Sequence, residues 1–217
     1  MDAALALPCA VALLIFTIAL LRAELTQNDR LKYIAKPLAS LSFVALAIAC
    51  GALGSLYGQL ILAALILCAL GDLCLLPSGT GPWFRRGVMA FFAGHIVYLM
   101  ASLSLWAMDA IAPGRLLALP LLFVVFTRMY QRLRGAKGDW LIESYTAVII
   151  AMVIAAIVAG VKTGFWLPAF AAGMFAVSDI FVGRNRMGPS LSGQFWIITP
   201  LYFTAQGLFA LSIAFLP

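Results

Sequence analysis

Charge is what this sequence has least of. Lysine and arginine number 14 and aspartate and glutamate 8 among 217 residues, so 10% of the chain is charged. A soluble globular domain carries roughly 25%. With 65% of residues hydrophobic and a mean hydropathy of +1.08, that scarcity puts the chain in a lipid bilayer. The net charge of +6 does not read as a nucleic-acid footprint, because the basic residues lie between the apolar runs and form no patch. They read as topology signals. No linker is long enough to hold a soluble domain, and the apolar runs lack period-two alternation, which excludes a closed barrel. Metal-ligand spacing is missing around Cys9, Cys50, Cys68 and Cys74, which read as small packing residues inside or at the ends of apolar segments. The N-terminus, "MDAALALPCAVALLIFTIALLR", has no positively charged n-region. Its apolar stretch of about 19 residues exceeds the ~7–15 of a signal-peptide core, so it reads as a retained first span.

What is present is a series of apolar segments. A spanning helix needs ~20 apolar residues, and eight segments meet that, at about 3–21, 33–50, 56–77, 86–107, 115–133, 141–161, 165–183 and 194–215. Turn formers or charges separate them, as in "RAELTQNDRLK", "PSGTGPWFRR" and "GRNRMGPSLSG". The pattern predicts an all-α fold: a polytopic membrane bundle of eight transmembrane helices, one integral membrane domain over residues 1–217. Arg22, Arg30, Lys32, Arg85, Arg86, Arg128, Arg132, Arg134, Lys137, Arg184 and Arg186 flank odd-numbered connections, against Arg115 and Lys162 on the other side. That bias predicts odd connections in the cytoplasm and both termini outside it.

Against this background, "ALGDLCLLP" and "FAVSDIFVG" each place an aspartate, Asp72 and Asp179, inside an apolar run. A charge at the bilayer centre costs ~2.5–3.5 kcal/mol or more, which marks both positions as candidates for function. Asp72 falls five residues, or ~7.5 Å at 1.5 Å per residue, from the cytoplasmic end of its segment. Asp179, Lys36, Glu143, His95 and Tyr202 fall in the same half of the bilayer. Asp72 and Asp179, His95 and Tyr202, and Lys36 and Glu143 are each 107 residues apart, a register that suggests two parallel four-helix halves.

Two carboxyls at one depth in low dielectric do not both ionise easily, so one keeps a proton while the other is an anion, an acid and a base side by side. The alternative is structural, each carboxylate pairing with Lys36 or an arginine to fix packing. His95 is the sole histidine, and Phe91, His95, Tyr98 and Ser102 share one helical face. It reads either as a hydrogen-bonded core residue or as part of the same site. A zinc ion held by His95 and both aspartates is an alternative without a second-shell signature, and no metal or cofactor is expected. Thr199, Tyr202 and Gln206 form a polar stripe toward the bundle interior, either as site residues or as packing contacts between helices. Lys36 either snorkels to the interface or binds an anionic headgroup. Trp83, Trp106, Trp140, Trp166 and Trp196 sit where interfacial belts lie.

The motifs "KPL" at Lys36, "LGDLCLLP" at Asp72, "AFFAGHIVY" around His95 and Tyr98, "SD" at Asp179 and "YFTAQG" at Tyr202 and Gln206 together resemble the YhhN family of membrane lysoplasmalogenases. The resemblance implies eight transmembrane helices and hydrolysis of the vinyl ether bond of lysoplasmalogens, giving a fatty aldehyde and glycerophosphocholine or glycerophosphoethanolamine. Family members vary at the second aspartate; this chain keeps Asp179. On that reading Asp72, Asp179 and His95 are catalytic, Lys36, Tyr98, Tyr202 and Gln206 bind a lysophospholipid within membrane lipid, and the expected setting is a bacterial inner membrane. Competing expectations are a proton- or ion-coupled transporter or lipid-binding protein, for which Pro37, Pro120 and Pro200 permit interrupted helices, and an intramembrane aspartyl protease. The tyrosine-aspartate and glycine-x-glycine-aspartate pairs of such proteases are missing, "LGD" being only partial.

Overall fold

The computed structural model describes residues 3–77, 81–106, 140–187 and 193–216. Among them the chain forms seven α-helices: α1 (Ala3–Leu25), α2 (Asp29–Ala49), α3 (Leu56–Cys74), α4 (Pro82–Ser104), α5 (Trp140–Thr163), α6 (Leu167–Met187) and α7 (Phe195–Ser212), with 3-10 turns at Ala52–Gly54 and Ile213–Phe215. No strand occurs among the described residues. The expected segment 115–133 lies outside them, with Arg115, Pro120, Arg128, Arg132, Arg134 and Lys137. Eight helices were expected; the described residues give seven. Six are long and apolar enough to cross a membrane, and the apolar part of α6, Leu167–Val182, is shorter. The chain is thus a multi-pass membrane protein.

Local chemistry moved several boundaries. The second segment begins at Asp29 and not near residue 33, because Asn28 caps it, its Oδ1 accepting from the Leu31 amide at 3.1 Å. The fourth begins at Pro82, where a first-turn proline loses no helical hydrogen bond. Ser55 caps α3 by accepting from the Gly58 amide at 3.0 Å. Pro37 and Pro200 sit inside α2 and α7, which run through them as helix. The interrupted helices expected of a transporter do not occur at these two positions.

Successive helices pack together: α1 on α2, α3 on α4 and α6 on α7. The middle is closed by α4 against α5 and by α7 against α1, α2 and α3. Small buried residues such as Ala39, Ala64, Ala101, Ala156, Ala172 and Ala205 let the backbones approach closely, as bilayer packing requires in place of a hydrophobic driving force. Large side chains including Leu7, Leu14, Ile18, Leu41 and Val161 face outward on the lipid side. Cys50 and Cys68 are buried, Cys9 and Cys74 partly so, and all four are free thiols.

The α3–α4 contact is the tightest and sets the geometry of the site. A Cβ on Gly71 would stand 2.7 Å from the Phe91 ring, and one on Gly94 would stand 2.9 Å from Cys68 Sγ. Only glycine allows that approach. It fixes Asp72, next to Gly71, and His95, next to Gly94, on facing helices. Arg22, Arg30, Lys32, Arg85 and Arg86 lie at one end of the bundle, and Lys162 lies near the end of α5. The end that gathers Lys32 and Arg86 is called the basic end below. Trp83 and Trp196 are about half exposed near it, and Trp166 is similarly exposed between α5 and α6. The side chain of Trp140 lies outside the described residues.

Candidate active site

Lys36 and Ser40 are one helical turn apart on α2, so both project toward the same neighbour. That neighbour is Asp72, almost wholly buried near the end of α3. Lys36 Nζ lies 3.2 Å from Asp72 Oδ1. On Oδ2, Ser40 Oγ donates at 2.7 Å and the Tyr202 hydroxyl, from α7, at 2.7 Å. One ammonium and two hydroxyl donors thus converge on a single carboxyl. That is the hydrogen-bond complement of an anion, and burial without it would be prohibitive.

Asp179 on α6 has a different environment. The Tyr145 hydroxyl, from α5, donates to its Oδ2 at 2.6 Å, and His95 Nε2, from α4, lies 3.4 Å from the same oxygen. His95 is fully buried. Its Nδ1 lies 2.7 Å from the Phe91 carbonyl oxygen. A carbonyl can only accept, so Nδ1 carries a proton. Neutral His95 therefore presents a lone pair at Nε2, and two lone pairs facing each other across 3.4 Å would repel. One proton resolves the contact, on Asp179 as a carboxylic acid or on His95 as imidazolium. The 3.4 Å contact is not a well-aligned hydrogen bond, and Nε2 has no other partner among the described residues. The Asp179 side chain is 14% exposed against 3% for Asp72, so it is the more accessible of the two.

Phe175 packs against a partner of each carboxyl group. Its ring centroid is 4.4 Å from that of His95 and 5.3 Å from that of Tyr202, edge-on in both cases. Behind it, the Tyr98 hydroxyl donates to Gln206 Oε1 at 2.5 Å, and the Tyr98 ring stacks on Phe209 at 4.0 Å. With Oε1 accepting from Tyr98, the Gln206 amide is fixed with its Nε2 group as a donor. That nitrogen is buried and has no hydrogen-bond partner among the described residues. The Cys68 thiol and the Tyr202 hydroxyl are its polar neighbours, so Gln206 joins the Tyr98 side of the seam to the Asp72 side.

The YhhN family model matches residues 31–213, most of the chain. The chain belongs to the YhhN family. No curated protein and no solved structure matches it. The matched span contains both aspartates, all their partners and the Tyr98–Gln206 pair, so the cluster is built wholly from the region shared with YhhN proteins.

All seven residues expected from this YhhN sequence, Lys36, Asp72, His95, Tyr98, Asp179, Tyr202 and Gln206, gather in one polar seam through the apolar bundle. Phe91, His95, Tyr98 and Ser102 are all buried on α4, and Thr199, Tyr202 and Gln206 on α7, as their helical spacing required. Two expectations change. The aspartates have separate partners: Asp179 faces His95 and Tyr145, and Asp72 is engaged by Lys36, Ser40 and Tyr202. No group of three or more His, Cys, Asp and Glu side chains that could hold a metal ion occurs among the described residues. His95 and the two aspartates are therefore not gathered as a three-ligand zinc site. Glu143 is exposed; the residue facing Asp179 from α5 is Tyr145, two positions on, which sequence reasoning missed. Also missed were Ser40, whose spacing from Lys36 was a usable signal, and Glu24, near the end of α1, whose Oε2 accepts from Thr199 Oγ1 at 3.2 Å.

The 107-residue register reappears in three dimensions. His95 of α4 approaches Asp179, and Tyr202 of α7, 107 positions after His95, donates to Asp72, 107 positions before Asp179. Each aspartate is thus completed by a helix from the opposite half of the chain. The third pair, Lys36 and Glu143, does not follow: one is an ion-pair partner and the other is exposed.

Proposed function

We propose that this YhhN protein hydrolyses the vinyl ether bond of alkenyl lysophospholipids, releasing a fatty aldehyde and glycerophosphocholine or glycerophosphoethanolamine. The observation that carries the reading is the single proton required between His95 and Asp179, opposite a carboxyl group dressed with donors as an anion. Vinyl ether hydrolysis begins when an acid delivers a proton to the β-carbon of the alkene, leaving an oxocarbenium ion. Water adds to the cationic carbon and loses a proton, and the hemiacetal collapses to aldehyde and alcohol. An acid that retains its proton at neutral pH, with an anion nearby, is the pair this sequence of steps needs.

On this reading the His95–Asp179 unit is the acid. Protonated Asp179 delivers the proton, and His95 holds it in place beforehand. Asp72 stabilises the developing cation and takes the proton lost by the attacking water. Tyr202 and Ser40 orient Asp72, and Gln206, fixed by Tyr98, donates to the water or to the sn-2 hydroxyl. Lys36 sets the charge of Asp72 and faces the glycerophosphate side. We also propose that the basic end faces the cytoplasm at a bacterial inner membrane, with both termini outside.

The decisive experiment measures aldehyde release by the purified protein from an alkenyl lysophospholipid and its acyl counterpart of equal chain length. Aldehyde from the alkenyl lipid, lost in both Asp72→Asn and Asp179→Asn, is the expected result. Fatty acid released from the acyl lipid alone would move the activity to a lysophospholipase. Full aldehyde release by both variants would overturn the scheme.

A further inference from the structure

The polar seam continues past Asp72 toward the basic end, beyond the groups that the proposed chemistry uses. Lys32, Lys36 and Ser40 lie at intervals of four on α2 and so form one row along its face. Ser40 and Lys36 are on Asp72; Lys32, half-buried, is one turn nearer the surface, a rise of about 6 Å. Across from this row stands Glu24, half-buried in the last turn of α1. Thr199 holds one of its oxygens, and the ammonium groups of Lys32 and Lys36 are within electrostatic reach. Four charges, two of each sign, are therefore arranged along the helices: Asp72 innermost, then Lys36, then Lys32 and Glu24 nearest the basic end. Arg86, from the start of α4, is engaged elsewhere, lying 4.7 Å over the Trp83 ring.

A carboxylate partly buried at the edge of a bilayer is costly, and closing α1 against α7 needs only a hydroxyl pair or an apolar contact there. Its charge has a use if a cation arrives. A lysophospholipid lying along the seam with its chain in the bundle presents, in order toward the surface, a glycerol, a phosphate and an ammonium. The row presents an anion with a hydroxyl, two ammonium groups and a carboxylate in the same order. Glu24 lies before the span matched to the family.

We propose that Lys32, together with Lys36, receives the phosphate of a zwitterionic lysophospholipid, and that Glu24 receives the headgroup ammonium. The assignment rests on the lysoplasmalogenase reading for the direction in which the lipid enters, but binding tests it without catalysis. Native mass spectrometry of the detergent-solubilised full-length protein gives dissociation constants for lysophosphatidylethanolamine and for lysophosphatidic acid of the same chain, which lacks the ammonium. Wild type is expected to favour the zwitterionic lipid. Glu24→Gln is expected to lower that preference about tenfold, the equivalent of ~1.4 kcal/mol, while Lys32→Gln weakens both lipids by similar factors. Thr199→Val, which keeps the carboxylate but frees it from its hydroxyl, gives an intermediate preference and serves where Glu24→Gln does not fold.

An unchanged preference in both Glu24→Gln and Thr199→Val overturns the proposal, as does equal weakening of both lipids by Glu24→Gln, which marks a structural contact. Selective binding that shifts as expected in a protein that releases no aldehyde upholds the headgroup assignment and sinks the hydrolase reading. Aldehyde release with an unchanged preference does the reverse.

Discussion

His95 Nε2 stands 3.4 Å from Asp179 Oδ2, and the other ring nitrogen of His95 is committed to the Phe91 carbonyl. A side chain that sequence alone leaves open, core residue or site residue, is thereby given one protonation requirement and one partner. The requirement separates the two aspartates, which look alike in sequence.

If Asp179 delivers its proton to carbon, hydrolysis in deuterium oxide leaves one deuterium on the carbon next to the aldehyde carbon. Rapid reduction of the product to the alcohol, followed by mass spectrometry, reads it before exchange. Aldehyde formed without that label means that the bond was broken by another route. His95→Gln, which keeps a polar group but cannot hold the proton in the same way, is expected to lower kcat by about 10²-fold or more, in the range of general acid catalysis.

Asp72 and Lys36 give a prediction in which stability and activity part company. Lys36→Met leaves a buried carboxylate short of its counterion, and breaking a buried pair from one side costs about 3–5 kcal/mol. Adding Asp72→Asn removes the stranded charge. Thermal unfolding in detergent should show Lys36→Met well below wild type and the double variant largely recovered, with aldehyde release absent from the double variant. A double variant no more stable than Lys36→Met would mean that the lysine acts elsewhere.

Tyr202→Phe removes one neutral donor from Asp72 and leaves Lys36 and Ser40 in place. A hydrogen bond to a charged acceptor is worth about 1.5–3 kcal/mol, so kcat should fall by roughly 10- to 150-fold with the KM little changed. Steady-state rates on a single alkenyl lysolipid measure both. Equal rates would take Tyr202 out of the site.

Gly71→Ala tests the α3–α4 contact. Its new Cβ would press on the Phe91 ring, whose own carbonyl orients His95. Overpacking of this kind costs about 1–3 kcal/mol. The melting temperature should fall, and Phe91→Leu on the same chain should restore part of it. A Gly71→Ala protein as stable as wild type would show that α3 and α4 can move apart freely.

The segments, their apolar faces and most of the polar seam were legible because each rests on a strong local signal. An aspartate in a hydrophobic run such as Asp72 or Asp179 is costly wherever the helix is placed, and the spacing of His95 and Tyr98 fixes their common face. What escaped depended on rotation and on contacts between distant helices. Glu143 drew attention as the charged residue of its segment, yet Tyr145 lies about 200° further round α5 and is the one that meets Asp179. Glu24 fell in a polar connection, and its role as a partner of Thr199 exists only once α1 packs on α7. The partition of the two aspartates was likewise invisible in sequence, since it turns on which side chains cross from one half to the other.

That crossing has a consequence for the chain as a continuous thread. A polypeptide severed between α4 and α5 would yield one fragment with Asp72 lacking its phenol and another with Asp179 lacking its imidazole. Neither fragment would hold a complete carboxyl environment alone, and mixing them would have to restore both encounters at once, so the two buried carboxyls are assembled jointly or not at all.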